Sequence, residues 1–323
     1  MVSDMDVAVL VYDGVFDSGL SAILDVLDAA NAMRGEFPQP PPAWQVTTVG
    51  FRRRVHTGAG HVVTTEPAAE ARKADLLLVP ALAERRPDAL LDHVSGSASA
   101  AVRTLVADTR EQGTLVASAC TGTFLLAESG VLDGRKATTS WWLAPVFRQR
   151  YPAVTIDDTR MVTTSDGVMT AGAAFGHVDL ALAIVRMSSP AVADLVARYL
   201  VVDERPSQSA YTIPSALAQS DPLVAAFERW ARLHLEEPIS VVDAARSLGV
   251  SERTLQRTVR RVLGTSPVRF VQDLRVEQAS HLLRTTGLSL DSIARKVGYE
   301  HANTLRVLLR ERTGSTTGAL RGR

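Results

Sequence analysis

Two domains of different class are predicted. The first is an α/β domain on a mainly parallel sheet, over residues 1–202. The second is an all-α domain of two helix-turn-helix units, over residues 222–323. Three observations predict them. In the first two hundred residues short apolar runs alternate with helical spacings, the pattern of a parallel sheet with helices on both faces. A stretch near the C-terminus is written twice. The net charge of zero hides an asymmetry, because residues 221–323 hold 17 Lys+Arg against 11 Asp+Glu (+6), and the remaining 18 and 24 leave residues 1–220 at −6. A basic module joined to an acidic one fits a nucleic-acid reader coupled to something that stays off DNA.

The bounds are simple. A chain of 323 residues has room for two domains, and 46% hydrophobic content suffices for real cores. No apolar run approaches the ~20 residues of a membrane span. The N-terminus is acidic and lacks the basic region of a signal peptide. A single cysteine excludes an intrachain disulfide and fits a reducing cytosol, so a cytoplasmic protein is expected.

In chain order, residues 6–12 (DVAVLVY) suit a buried strand. From Gly19 to Met33, Leu20, Ile23, Leu24, Leu27 and Ala30 recur at helical spacing. Four prolines between Pro38 and Pro42 mark a loop, and residues 44–49 read as a second strand. Residues 54–66 alternate around Gly58 and Gly60 and predict a hairpin. Residues 75–80 are a buried strand, 97–111 a helix, and 114–118 a strand that runs into Ala119-Cys120-Thr121-Gly122. Shorter strands follow at 137–140, 154–156, 160–164 and 168–170, with helices at 177–187 and 191–201. Residues 203–221 are polar, without a period, and read as the linker. A helix then opens at Pro222, where the first turn tolerates proline.

The turn at Cys120 has the logic of a nucleophile elbow, a side chain on a sharp bend at the end of a central strand. A helix N-terminus just after it lowers a thiol pKa and offers N–H donors to an oxyanion. The other reading of Cys120 is an inert buried thiol. Neither domain has a Cys/His cluster at metal-ligand spacing.

The repeat runs from Val241 to Gly264 and again from Leu290 to Gly314. Ala245 and Gly249 correspond to Ala294 and Gly298, each 49 residues later. Crossing helices need a small residue where they touch, and the tight turn needs one that tolerates positive φ. Ser251 is the expected N-cap of a helix from about 251 to 263 carrying Arg253, Thr254, Gln256, Arg257, Arg260 and Arg261. Such a helix enters the major groove of double-stranded DNA. Arg253, Thr254 and Arg257 are expected at base edges, Arg260 and Arg261 at phosphates. The second recognition helix is expected over about 301–312, with His301, Asn303 and Arg306 as its contacts. Residues 268–285 form the joining helix, with Phe270, Leu274, Leu282 and Leu283 as its buried stripe.

These motifs carry two resemblances. Arg257, Gly264-Thr265-Ser266-Pro267, Leu274-Arg275 and Ile293-Ala294…Gly298-Tyr299 resemble the AraC family of bacterial transcription regulators, over residues 222–321. VASACTGTFLLAESGVLDGRKATTSWW, with TSDGVMTAGAAFGHVDLALAIV after it, resembles the amidotransferase-like, PfpI-type fold over residues 5–200. More closely it is similar to the GlxA-type regulators, which place that fold before an AraC-type reader. The resemblance implies a flavodoxin-like (class I glutamine amidotransferase-like) sensor domain and no cofactor. It also implies a small-molecule effector held near Asp17, Cys120, Thr121, Gly122, Ser140 and His177. A homodimer is implied, with RNA polymerase as a further partner.

Departures from the pattern qualify this. Thr121 stands where active peptidase-like relatives carry histidine, and Ser140 where the A-T-T-H-W motif does. No catalysis is therefore expected. The alternatives are a hydratase or amidase resembling isonitrile hydratase, using Asp17, Cys120 and Thr121, and a redox sensor based on the thiol. Asp17 reads either as a helix cap or as a carboxylate beside the thiol. His177 reads as a satisfied structural residue or as a pocket-facing one. In the second repeat the usual F-x-R-x-F is Leu305, Val307 and Leu309, so the first copy is expected to dominate specificity.

Overall fold

The computed structural model describes residues 4–203, 205–314 and 316–321. They form two compact units, one of residues 1–143 with 151–208 and the other of 144–150 with 209–323.

The strands are β1 (Met5–Leu10), β2 (Trp44–Gly50), β3 (Arg54–His56), β4 (Val62–Thr64), β5 (Glu66–Pro67), β6 (Leu76–Val79), β7 (Leu115–Ala119), β8 (Lys136–Ala137), β9 (Thr155–Ile156), β10 (Val162–Ser165) and β11 (Val168–Ala171). Seven of them make one sheet in the order β10-β11-β7-β6-β1-β2-β5. Every pairing in it is parallel except the hairpin β10–β11. The five principal strands β2-β1-β6-β7-β11 follow the flavodoxin-like order, whose switch point lies between β1 and the next strand inward. The apolar runs Val7–Leu10 and Leu76–Val79 are fully buried, as central strands covered on both faces require.

Covering the sheet are α1 (Asp17–Met33), α3 (Ala100–Glu111), α4 (Gly122–Glu128) and α6 (Gly176–Ser188), with α2 (Pro87–Ser95) packed on α4 and α7 (Pro190–Tyr199) on α1 and α6; α5 (Ala144–Arg150) belongs to the second unit. The predicted hairpin over 54–66 is the antiparallel pair β3–β4. Two expectations need correction. The strand expected at 137–140 stops at Ala137, because Thr138, Thr139 and Ser140 turn their side chains to other partners. Helix α2 forms where the sequence pattern predicts nothing; Leu90 and Val94 alone, one turn apart, fix its buried side.

The second unit continues with α8 (Pro214–Ala218), α9 (Pro222–Leu233), α10 (Val241–Ser247), α11 (Glu252–Leu263), α12 (Pro267–Thr285), α13 (Leu290–Lys296), α14 (Ala302–Thr313) and α15 (Thr317–Arg321). It has two cores. One gathers Phe227, Ala245, Leu255, Val259, Phe270 and Leu274; the other Val276, Ala279, Ile293, Ala294, Leu305, Leu309 and Leu320. Helix α12 serves both, so its buried residues divide between two modules and Val276 and Ala279 join the stripe, while Leu282 is only partly buried. Leu305, Leu309 and Leu320 are among the buried residues of the second core.

The segment 203–221 is not a plain linker. Gln208 is fully buried in the first unit, and Ala218 of α8 is buried in the first helical core. Asp221 caps α9, accepting from the Leu223 and Val224 N–H groups.

Candidate functional site

Two places carry the candidate residues. At the first, β7 ends and Cys120 takes a left-handed backbone (φ +56°), rare for a residue with a side chain. Its N–H donates to Ala171 O (2.8 Å) and its carbonyl accepts from Thr139 Oγ1 (2.7 Å), so both backbone groups brace the strained turn. Gly122 must follow in the bend, because a Cβ there would sit 2.5 Å from Ser118 Oγ and 2.6 Å from Pro80 O. The Thr121 hydroxyl accepts from Leu82 N–H (2.8 Å) and donates to Leu82 O (2.7 Å), fastening the elbow to the loop after β6. The Tyr12 hydroxyl, just past β1, donates to Pro80 O (2.6 Å). The elbow therefore sits at the carboxyl ends of β1, β6 and β7, where open parallel sheets bind ligands.

Ser140 is buried and donates to Cys120 Sγ at 2.9 Å. Burial pushes the Cys120 thiol up, and the hydrogen bonds from Ser140 and Thr121 only partly offset it. Among the described residues no carboxylate or imidazole bonds to the sulfur, whose partners are Ser140 and Thr121. The thiol is thus held protonated at neutral pH, the opposite of an activated nucleophile. A thiol-specific disulfide reagent at pH 7.5 is expected to modify the native protein at least about tenfold more slowly than the urea-unfolded chain. Equal rates would show an accessible thiolate.

His177 and Asp17 are not brought to the sulfur. His177, in the first turn of α6, donates from Nδ1 to Ala174 O (2.6 Å), and its Nε2 accepts from Ala81 N–H (3.1 Å). Both ring nitrogens are spent on backbone, and the ring packs on Gly19 so closely that no larger residue fits there. It is the satisfied structural histidine. Burial lowers its pKa from 6.5 to about 4. A histidine kept neutral in the fold binds its proton first in the unfolded chain. Stability is therefore complete above pH 6.5, falls as pH drops through that value, and levels off near pH 4. The loss is on the order of 3 kcal/mol. Urea unfolding of the N-terminal domain at several pH values reads it; a flat profile from pH 7 to 4 would contradict the assignment.

Asp17 is neither the cap nor the partner of the thiol. Phe16 is the N-cap of α1 and makes no side-chain cap bond. The Asp17 carboxylate reaches the β3–β4 turn instead. It accepts from Thr57 Oγ1 and from Ala59 N–H (2.8 Å), and lies 2.7 Å from His61 Nδ1. Burial pushes its pKa up, but the bonds from Thr57, His61 and Ala59 outweigh this and hold it below the usual value.

Sequence reasoning missed Gln208. It is fully buried, and its Nε2 donates to Thr139 O (2.8 Å) and Thr138 Oγ1 (3.2 Å), while its Oε1 accepts from Trp141 N–H (3.1 Å). It carries the wall that presents Ser140 to the sulfur. One glutamine in a polar stretch gives no signal; the hint is Gly172, where any side chain would overlap the Gln208 amide.

The second place is an exposed face of the helical unit. Ser251 caps α11, accepting from Thr254 N–H at 3.1 Å, an arrangement worth about 1 kcal/mol. Arg253, Gln256, Arg257 and Arg260 are exposed at i, i+3, i+4 and i+7, one stripe bordering one shallow groove. Arg253, Arg257 and Arg260 have no ion-pair partner among the described residues. Gln256 is held by Glu252 Oε1 (2.7 Å), and Thr254 Oγ1 lies 2.8 Å from Ser251 Oγ within the cap. Arg261 pairs with Asp221 at 2.9 Å, the carboxylate that caps α9.

The two repeats are not displaced by one constant. Helices α10 and α13 have seven residues each and begin 49 apart (290 − 241); α11 and α14 have twelve each and begin 50 apart (302 − 252). The second turn is one residue longer. Both recognition helices end in a left-handed glycine, Gly264 and Gly314, again 50 apart. Asn303, Arg306, Val307 and Arg310 thus take the places of Arg253, Gln256, Arg257 and Arg260, all exposed. His301 is the N-cap of α14 without a side-chain cap bond, and Arg306 donates to Asn303 Oδ1 at 3.1 Å. Arg310 is the face residue that the motif comparison overlooked.

The second turn is also wedged. Gly298 has φ +78°, and a Cβ there would overlap the Leu235 carbonyl oxygen. Beside it Arg275 stacks on the Tyr299 ring (5.1 Å) and donates to Glu237 O (2.7 Å).

Comparison with known proteins agrees with this geometry. A model of the DJ-1/PfpI family matches residues 5–187 and a helix-turn-helix domain model matches residues 244–323. The chain is 30% identical over 185 residues to the HTH-type transcriptional regulator CdhR of Pseudomonas aeruginosa, covering 56% of this chain and 54% of that protein. It is 26% identical over 215 residues to the HTH-type transcriptional regulator GlxA of Rhizobium meliloti, covering 65% and 66%. The chain spans about half the length of CdhR and of the GbdR regulators of Pseudomonas aeruginosa. A solved structure of a candidate transcriptional regulator from Vibrio parahaemolyticus shares the fold of the first unit, with TM-score 0.51 and 18% identity over 61% of this chain and 99% of that one. Among the described residues no group of three or more His, Cys, Asp or Glu could hold a metal ion, and no helix is long and apolar enough to cross a membrane.

Proposed function

This chain belongs to the DJ-1/PfpI family and carries a helix-turn-helix domain after the family's fold, and from that premise we propose that it is a sequence-specific transcription regulator acting on double-stranded DNA. The observation that carries the proposal is the exposed, unpaired arginine stripe of α11. Three guanidiniums on one face of a capped recognition helix supply both phosphate neutralisation and guanine-reading forks. Helix α12 is 19 residues long and spans about 28 Å, close to one turn of B-DNA, so the two units would meet successive major grooves.

The N-terminal domain is the sensor in this reading. A small-molecule effector would bind at the carboxyl ends of the central strands, near Cys120, Thr121 and Ser140, and would shift the protein between states of different DNA affinity. The buried, protonated thiol supports a binding role there over hydratase, amidase or redox chemistry. A homodimer, contact with RNA polymerase and action in the cytoplasm complete the proposal.

The test is selection of sequences from a random duplex library by the full-length protein, followed by titration of the winning site over a range of salt. A selected motif with log K falling linearly in log salt is expected. Binding that is indifferent to sequence, or to salt, overturns it.

A further inference from the structure

We propose that Val307 reads the C5-methyl group of a thymine, so that the second recognition helix selects T·A at the position where the first selects guanine through Arg257. The inference rests on the DNA-binding reading above and deepens it.

The two recognition helices superpose by their own internal marks. Each has twelve residues, each ends in a left-handed glycine, and Leu255 and Val259 of one are buried like Leu305 and Leu309 of the other, all 50 apart. What α11 turns to the groove, α14 therefore turns as well. At the centre of that stripe α11 has Arg257 and α14 has Val307, 51% exposed. Polar residues surround it: Asn303 one turn before, Arg310 one turn after, and Arg306 beside it, tied to Asn303. The second reader is thus not a weakened copy of the first. Its central side chain offers two methyl groups and no hydrogen bond.

Base edges give such a group a single good partner. In the major groove guanine, cytosine and adenine present donors and acceptors, whereas thymine adds a methyl group. A valine over that methyl buries apolar surface on both sides. Over a guanine it would cover the O6 and N7 acceptors without satisfying them, which is costly.

The experiment replaces each thymine of the selected site, one at a time, by deoxyuridine, which removes only the methyl group. Full-length wild-type protein is expected to lose about fourfold in affinity at one thymine of the second half-site, the value of about 0.8 kcal/mol for one buried methyl. Val307→Ala, at a half-exposed position, should show a thymine-to-uracil difference well below the wild-type fourfold, because its shorter side chain covers less of the methyl group. Val307→Arg should prefer guanine there. If no uracil substitution weakens wild-type binding, or if Val307→Ala keeps the full fourfold difference, the inference falls and DNA binding stands. If the wild-type protein selects no sequence at all, the DNA-binding reading fails and this inference fails with it.

Discussion

Gly298→Ala is expected to destabilise the helical domain by about 3 kcal/mol or more, and Gly249→Ala by only about 1–2. Both glycines are left-handed (φ +78° and +69°), so both substitutions incur the steric cost of an L-residue in that region, about 1–2 kcal/mol. They differ in their surroundings. Nothing lies within 4 Å of a Cβ at Gly249, whereas at Gly298 it meets the Leu235 carbonyl, a backbone atom of the turn that follows α9. Calorimetry of the full chain reads the difference. At about 4–8 °C per kcal/mol for a domain of this size, Gly298→Ala should lower the helical transition by more than about 12 °C. Equal shifts for the two variants would mean that the second turn is not wedged against the first module.

The other large effect is on DNA. Arg257→Ala should weaken the selected site by about 1–3 kcal/mol, roughly 5- to 150-fold, and relax the preference at one base pair. Arg260→Ala should weaken all sequences alike and reduce the salt slope by about one, the behaviour of a phosphate contact. Arg261→Ala should leave the slope nearly unchanged, because its guanidinium already holds Asp221. A slope change for Arg261 equal to that for Arg260 would show that the ion pair opens on DNA.

Much of this was readable in the residues. Buried runs such as Val7–Leu10 announce central strands, because a parallel strand covered on both faces is mostly apolar. The repeat announces itself through Ala245, Gly249, Ala294 and Gly298, whose sizes and φ angles are dictated locally. What stayed hidden depends on partners far along the chain. His177 is fixed by Ala81, 96 residues away; Gln208 by Thr139, 69 away; Arg261 by Asp221, 40 away. Asp17 belongs to a hairpin 40 or more residues on, so adjacency to a helix start suggested a role it does not have. The extra residue in the second turn escapes a comparison made on Ala245, Gly249, Ala294 and Gly298 alone, because those landmarks lie before it and register only one offset.

That extra residue gives the molecule a direction. A reader made of two identical heads would accept a tandem repeat and, in a single copy, could not tell one half-site from its neighbour. Here the heads differ in the length of the turn behind them and in the face they present. One lays down arginines; the other offers an asparagine, a valine and one arginine. If the chain reads DNA as proposed, the two half-sites that suit it differ in sequence. Each chain would then lie along DNA like an arrow, its two heads on fixed and different half-sites.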